Sequence, residues 1–440
     1  MMTQEQAFTP QALELASRQN SEPDWLLELR LKALQAFHEL PVELPKDSPL
    51  EKHYTDLRKL ELEKFEPLAF NGYGVTSGDF PREILRETKQ KSYATLVMHN
   101  SKTALAYPES LARQGVIFTD LRTAIREHSE LVKRHLFTEC HSFSDFKLAA
   151  LHAAYMANGV FLYVPEGVDA VLPFRAVYNT AAPGKAAFYH NLVVLEENAK
   201  ASFSDEYYSI GATGDFWHSA MTEVIASKGS TFSQHSLQDL SHELAFNYDS
   251  KKAVLAGNAS VDWVFASLGG KTNLTRVESV LNGRGARSDN LGVFLGRGEQ
   301  HVDVSANVNH RVRDTDTRIL LKGVISGKTT SVARGMIKIG ETSNNSNSDL
   351  KATTLVLSDS AKANAIPALD IRTNDVRAKH AAFIDHLDEE QVFYLMSRGL
   401  ERRAAERQVI GGYYNQVLDS IKVPGVREAF RNAVNSRLEV

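Results

Sequence analysis

Cysteine is almost absent from this 440-residue sequence: Cys140 stands alone beside 15 histidines. A single cysteine excludes an intrachain disulfide framework and any four-thiolate or Cys-x-x-Cys metal site formed within one chain. Although His141 follows it, a lone cysteine is usually a small buried side chain, and we predict that role here. Any sulfur-rich cofactor would need thiolates from another molecule.

Long apolar runs and an excess of charge of one sign are also lacking. No stretch of about 18 apolar residues occurs, and residues 1–6 contain neither the basic nor the apolar segment of a secretory signal. Lys and Arg number 50 against 54 Asp and Glu, a net charge of -4, which gives no footprint for nucleic acid or an anionic membrane. We therefore expect a cytosolic protein that binds neither.

The distribution of apolar residues divides the chain into a mainly helical region 1–157, a strand-rich region 158–383 and a helical region 384–440. In the middle region, short β-branched and aromatic runs alternate with Gly, Asn, Asp and Ser. About 225 residues of this kind fit a sandwich, a barrel or a β-solenoid. No fixed repeat chooses among them, because only loose echoes such as Gly-Arg-Gly at 283–285 and 296–298 occur.

The first region contains signals for helices and for one hairpin. Leu26, Leu29 and Ala33 recur at helical spacing, and helical patterns return before the middle region. The apolar runs 94–98 and 103–107 flank a short polar link and predict a β-hairpin.

The clearest strand of the middle region begins at His301. Val302, Val304, Ala306 and Val308 share one face, and polar residues occupy the other. The alternation predicts one buried face and one face in water.

Two helices of the last region have clear boundaries. Asp388 and Gln391 have the spacing of a capping box, the run through Val392, Phe393 and Met396 forms one face, and Gly399 lies where a C′ glycine belongs. After Pro424, a narrow apolar stripe recurs at every fourth residue: Val426, Phe430, Val434 and Leu438. This stripe either packs on the body or receives a partner.

Three groups of polar residues are candidates for chemistry. His301, Asp303 and His310 are metal-like, and a β-rich metal-dependent enzyme using them is the alternative function, although a hydrated strand face explains the first two as well. Gly269-Gly270-Lys271-Thr272 imitates the end of a phosphate-binding loop, but strand-like residues follow it where a helix is required. His380 lies between a strand and the capped helix, where an imidazole could ligate iron, yet the pattern alone favours an ordinary surface histidine.

The C-terminal half resembles the SufB/SufD family of the SUF iron–sulfur cluster assembly system. The resemblance is carried by segments with that family's order and spacing: Arg334–Ile339, Thr354–Ser358, Pro367–Ile371, Asp375–His380 and Leu387–Leu400. Together with upstream segments such as Gly159–Val168, it covers roughly residues 159–399. It implies a mainly β fold, a right-handed parallel β-helix flanked by N-terminal and C-terminal helical regions.

The resemblance also implies which subunit type this is. The SufB type carries a cysteine in a Gln-Cys-Asp-Ser segment, and the matching place here reads Lys351-Ala352-Thr353-Thr354, so the chain is of the SufD type. The SufD pattern places a histidine implicated in cluster assembly at His380, which makes His380 the expected iron ligand. Ala378 stands where cysteine is frequent, Lys379 where a small polar residue is usual, and Ala381 where glycine is usual.

For function, the resemblance implies a non-catalytic scaffold on which an iron–sulfur cluster is held transiently and shared with a partner, with no cofactor bound permanently. The expected partners are a SufB-like scaffold subunit and a SufC-like ATPase, the latter docked by the C-terminal helices around residues 408–438. Whether the isolated chain forms a homodimer stays open.

Overall fold

The computed structural model describes residues 8–42, 55–68 and 92–438, and in these ranges the chain is mainly β. Its strands form a β-solenoid, in which the chain coils through two facing parallel sheets, with helices before and after it. The β-helix fold implied by the family resemblance is confirmed. No helix within the described ranges is long and apolar enough to cross a membrane.

The part that precedes the solenoid is mostly helical, as predicted. Its elements are α1 (Pro10–Gln19), α2 (Asp24–Glu39), β1 (Glu66–Pro67), β2 (Ala94–His99), β3 (Lys102–Ala106), α3 (Glu109–Ala112), β4 (Ile117–Asp120), α4 (Leu121–Glu127), α5 (Ser129–His135) and α6 (Lys147–Tyr155). The predicted hairpin is confirmed, since β2 and β3 pair antiparallel. Leu26 and Ala33 of α2 are fully buried, as their spacing indicates.

Strands β5 to β20 alternate between two sheets, with odd-numbered strands in sheet A and even-numbered strands in sheet B. They are β5 (Val160–Val164), β6 (Phe174–Asn179), β7 (Lys185–Leu195), β8 (Lys200–Tyr208), β9 (Phe216–Ala226), β10 (Thr231–Asp239), β11 (Ala245–Leu255), β12 (Ser260–Ser267), β13 (Thr272–Leu281), β14 (Arg287–Gly296), β15 (His301–His310), β16 (Asp316–Ile325), β17 (Thr330–Ile339), β18 (Ser346–Val356), β19 (Lys362–Ile371) and β20 (Val376–His386). Successive strands of a sheet pair in parallel, so each turn of the solenoid adds one strand to each sheet.

The turns that lead from sheet A to sheet B share a structural repeat that is not visible in the sequence. One residue in each turn has a positive φ, about 30 residues after the previous one: Gly167, Asn198, Gly229, Asn258, Gly285, Asp314 and Asn345. Glycine, asparagine and aspartate tolerate this left-handed conformation best. Because three residue types share the position, the repeat does not appear as identical letters.

Side chains that alternate along each strand fill the interior of the solenoid. In β15, Val302, Val304, Ala306 and Val308 are buried there, as predicted. The prediction that the opposite face is hydrated is wrong in part, because Asp303 is buried on that face beneath the segment that contains Thr55.

The chain ends in three helices, α7 (Glu389–Ser397), α8 (Arg402–Leu418) and α9 (Pro424–Leu438). The apolar stripe of α9, Val426, Phe430 and Val434, is buried against the outer face of sheet B. It forms one hydrophobic cluster with residues of that sheet such as Leu237 and Val264. Burial of each large side chain contributes about 1.5–3 kcal/mol. The stripe therefore packs on the body and is not available to a partner.

Candidate functional site

The last turn of the solenoid is open. β19 and β20 end the two sheets, and each pairs with one strand only among the described residues. Their second edges present backbone N–H and C=O groups that no neighbouring strand satisfies. We call this surface the open end; it comprises β19 and β20.

The interior-facing side of the open end is almost entirely apolar. Register with the buried rows of β17 and β18 identifies these positions: Ala363, Ala365, Pro367, Leu369 and Ile371 of β19, and Val376, Ala378, His380, Ala382 and Ile384 of β20. One more turn would bury them, but none follows in the described chain. The row also holds two histidines, His380 and, at its last position, His386, whose Nδ1 lies 3.1 Å from the carbonyl oxygen of Val356.

His380 pairs in register with Leu350 of the preceding turn. Leu350 is fully buried, whereas His380 is exposed because nothing stacks on it. The imidazole thus lies on the interior column of the solenoid and is still reachable from outside. A molecule that covered the open end would meet it directly.

His380 has no set of protein ligands around it. Among the described residues, no three His, Cys, Asp or Glu side chains come together in a way that could hold a metal ion. Ala352, where the SufB type carries cysteine, is buried one interior position beyond Leu350 and is in register with Ala382. Ala378 precedes His380 on the same side. The interior-facing row of the open end therefore carries the imidazoles of His380 and His386 and no sulfur.

Cys140 lies elsewhere and is buried, as predicted. It is buried beneath the N-terminal helices, with its Sγ 3.4 Å from the carbonyl oxygen of Val224. Burial raises the pKa of the Cys140 thiol, and the nearby Glu223 carboxylate adds to the effect. A protonated, enclosed thiol is a poor ligand and nucleophile.

The structure does not bring His301, Asp303 and His310 together. Asp303 is paired with Arg334 and accepts a hydrogen bond from Thr55, whose hydroxyl also lies 2.8 Å from His301 Nε2. His310, at the far end of β15, faces the interior instead. The metal-dependent enzyme that these residues suggested therefore lacks its site.

Both ring nitrogens of His310 are occupied by hydroxyl groups. Nδ1 lies 2.7 Å from Thr315 Oγ1, and Nε2 lies 2.9 Å from Thr317 Oγ1. Burial lowers the pKa of His310 to about 4, which keeps the imidazole neutral near pH 7. Its role is to satisfy hydrogen bonds within the solenoid.

A second exposed surface follows the open end. The Asp388 side chain caps α7 as predicted, accepting hydrogen bonds from the backbone N–H groups of Glu390 and Gln391. Val392 is buried, but Phe393 is 72% exposed and Tyr394 is 56% exposed. The predicted common face of Val392, Phe393 and Met396 is thus split: only Val392 packs on the protein, and α7 presents bare apolar side chains.

A cleft of about 610 Å³ lies between α8 and α9. Gly411 and Gly412 stand at its edge in the middle of α8, with open space where side chains would be. Arg407 and Arg431 line it together with apolar residues such as Leu400.

The described chain is thus a β-solenoid with one open, apolar end and helices on its outer faces. Comparison with known families is specific: the model described as "SUF system FeS cluster assembly, SufBD core domain" matches residues 177–413, and that of the "SufBD protein N-terminal region" matches residues 13–174. The chain therefore belongs to the SufB/SufD family and is of the SufD type.

Individual relatives agree with this assignment. The chain is 29% identical to the iron–sulfur cluster assembly protein SufD of Bacillus subtilis, over 97% of both chains. It is 26% identical to SufB of the same organism, over 93% of this chain and 88% of that one. A SufBD family protein of Staphylococcus haemolyticus is also 26% identical, over the same shares.

Sequence reasoning missed the open edges of β19 and β20 and the bare face of α7. The strand-like run at Ala368–Ile371 was visible in the sequence, but nothing in it indicated that this strand is the last of its sheet. Position in a stack is a tertiary property, which periodicity does not contain.

Proposed function

We propose that this chain is a cytosolic, non-catalytic scaffold subunit that holds a transient iron–sulfur cluster together with a SufB-like subunit. The observation that carries the proposal is the open end, where His380 lies exposed among apolar positions of the interior-facing row. Membership of the SufB/SufD family supports the general role in cluster assembly.

Pairing through the open end is supported by its chemistry. Phe383 and Ile384 of β20 are each 52% exposed, and the outer edges of β19 and β20 pair with no strand among the described residues. A partner strand added to each sheet would satisfy the free backbone groups and cover these side chains. A second β-solenoid of the same family offers matching strands, and SufB of Bacillus subtilis is similar to this chain over most of its length.

Cluster ligation would be divided between the subunits. His380 supplies a borderline nitrogen ligand, while the alanines at 352 and 378 leave thiolates to the partner. Iron and sulfur are cargo in this scheme, and the cluster leaves for its recipient.

The SufC-like ATPase would dock on the C-terminal helices. The sequence placed this contact on the apolar stripes of residues 408–438, but the stripe of α9 is buried against sheet B. We therefore move the proposed contact to the bare face of α7, with Phe393 and Tyr394, and to the cleft beside Gly411.

Co-purification tests the proposal. The tagged chain is expressed with a SufB-like and a SufC-like protein, isolated at moderate salt, and its bound proteins are identified. We expect a stable complex that contains both. Recovery of the chain alone or as a homodimer, under conditions where the other two proteins associate, would contradict the scaffold role.

A further inference from the structure

We propose a binding site for a tetrahedral oxyanion of the phosphate type at a corner of the solenoid remote from the open end. The site, which we call the basic corner, consists of Arg297, His242 and Arg437. It lies where turns from sheet B to sheet A meet the end of α9. The proposed function does not require it.

Three successive turns and one helix build the basic corner. The turns connect β10 to β11, β12 to β13 and β14 to β15, and they stack because these strands pair in register. Arg297 in the third turn reaches past the middle one to His242 in the first, where its Nη2 lies 3.3 Å from His242 Nδ1. The middle turn contains Gly269 and Gly270, and a Cβ at Gly269 would meet the backbone of Leu240 in the first turn.

The glycines do not themselves form a phosphate loop. The backbone N–H of Gly269 donates to Gln238 Oε1 at 2.8 Å, and that of Gly270 donates to the carbonyl of Ser241 at 3.2 Å. Thr272 then begins a strand. The resemblance of Gly269-Gly270-Lys271-Thr272 to a phosphate-binding loop is therefore formal, and any anion here must be held by side chains.

Arg297 has hydrogen-bond donors to offer. Its Nε and Nη1 atoms are buried and have no hydrogen-bond partner within the described chain. Unpaired buried donors of a charged group are costly, and such groups in folded proteins normally have a partner, be it protein, water or ion. A guanidinium is suited to phosphate because its planar N–H groups match the anion's oxygens.

The second arginine of the corner is already satisfied. Arg437 Nε donates to Asp239 Oδ1 at 2.6 Å, and its Nη2 donates to the carbonyl of Leu240 at 3.0 Å. Asp239 is thus committed to Arg437 and leaves Arg297 without a carboxylate of its own. Of the two guanidinium groups, Arg297 is therefore the one whose unpaired hydrogen-bond donors an external anion would bind.

The charged groups of the corner are Arg297 and Arg437 against Asp239 and Glu243. Asp239 is held by Arg437, and the Glu243 side chain is 77% exposed. Glu299, on the same turn as Arg297, is engaged by Lys328. Burial, Arg297 and Arg437 together lower the pKa of His242, so its imidazole is neutral near pH 7 and its Nδ1 accepts from the two arginines.

The test is titration of the full chain with inorganic phosphate in a chloride buffer, followed by calorimetry. We expect saturable binding with a dissociation constant of about 1 mM or below, and Arg297→Gln should weaken it at least about tenfold. The matched control is Arg313→Gln, an exposed arginine that pairs with Asp314 on the other column of turns. It should leave phosphate binding unchanged.

A second measurement guards against a misfolded variant. Phosphate at about 10 mM should raise the thermal midpoint of the parent chain above that in sodium chloride of equal ionic strength. Circular dichroism checks the fold of Arg297→Gln. If that variant is misfolded, the titration uses Arg297→Lys, which keeps the positive charge but has fewer hydrogen-bond donors. The same titration with ADP shows whether a nucleotide's phosphates or the free anion bind more tightly. No phosphate binding to the parent, or equal binding to the Arg297 variants, would overturn the proposal.

Discussion

The two ends of the solenoid differ in whether further strands cover them. At the first end, β4 pairs antiparallel with β5, and the β2–β3 hairpin adds to sheet B through β6. At the last end, β19 and β20 have no such cover in the described chain. Antiparallel strands at the first end reverse the chain direction and end the series of parallel strands. The exposed parallel edges at the last end can still pair with a further strand.

Burial follows the same division. Phe161, Leu162 and Phe174 in the first turn are fully buried, whereas Ile371 and Ile384 in the last are 38% and 52% exposed. Apolar area left in water forgoes about 25 cal/mol per Å² of stabilisation. The difference indicates that apolar burial at the first end contributes more to the folding of the chain than apolar burial at the last end.

The largest expected effect is on folding, and it separates the two ends. Phe118→Ala in β4 removes a ring that is 1% exposed and whose centroid lies 5.0 Å from that of Phe174. We expect the free energy of unfolding to fall by about 3–5 kcal/mol in urea denaturation. Phe383→Ala at the open end should cost below about 1 kcal/mol. Similar losses in both variants would remove the distinction.

The next effect compares a covered histidine with the bare one. His310 has a pKa of about 4 in the folded chain against 6.5 when unfolded, because burial disfavours its charge. The unfolded chain therefore gains this proton first, and stability is lost as the pH falls from 6.5 towards 4, by roughly 2–3 kcal/mol in total. His310→Asn should remove that part of the pH dependence.

Urea denaturation at pH 7 and pH 4.5 measures this difference, with His380→Asn as the control at the open end. The control should retain the pH dependence of the parent. An unchanged slope in His310→Asn would show that the buried imidazole does not titrate as its surroundings require.

A smaller effect concerns association rather than folding. Ile384→Lys places a charge on the interior-facing row of the open end and should weaken binding of a SufB-like subunit by roughly thirtyfold. Leu105→Lys is the matched control, since Leu105 is 45% exposed on β3 at the other end. Surface plasmon resonance with both variants measures the difference. Equal weakening by the two changes would place the interface elsewhere.

The smallest effect is expected in cluster assembly. His380→Ala should lower the yield of reconstituted cluster about tenfold, since one ligand is lost while the subunits still associate. The control is His386→Ala, because His386 lies on the same strand but engages the carbonyl of Val356 at 3.1 Å. Cluster yield is followed by absorbance of the complex. A normal yield in His380→Ala would remove the proposed ligand.

Local signals in the sequence predicted local structure well. The cap at Asp388, the hairpin at residues 94–106 and the interior row of β15 are all confirmed, because each depends on neighbours within a few residues. The burial of Asp303 was missed because its cover, near Thr55, is about 250 residues away. The solenoid itself followed from family resemblance, since its turn residues vary among Gly, Asn and Asp.

The candidate site was predictable only in part. His380 stood out through resemblance, while its pattern alone suggested a surface histidine, and the structure adds its place on an uncovered interior row. The exposed face of α7 contradicted the simple helical pattern, because Phe393 lies next to Val392 in sequence but not on the buried side. In a sequence, an apolar residue exposed on the surface cannot be told apart from one that is buried in the core.

The central claim is that the open end pairs with a SufB-like subunit, and hydrogen exchange of backbone amides measures it most directly. Exchange is compared by mass spectrometry for the isolated chain and for the complex. We predict new protection concentrated in β19 and β20, with β2 and β3 unchanged. Protection that appears at the first end instead, or a complex that leaves β19 and β20 exchanging as in the isolated chain, would contradict the account.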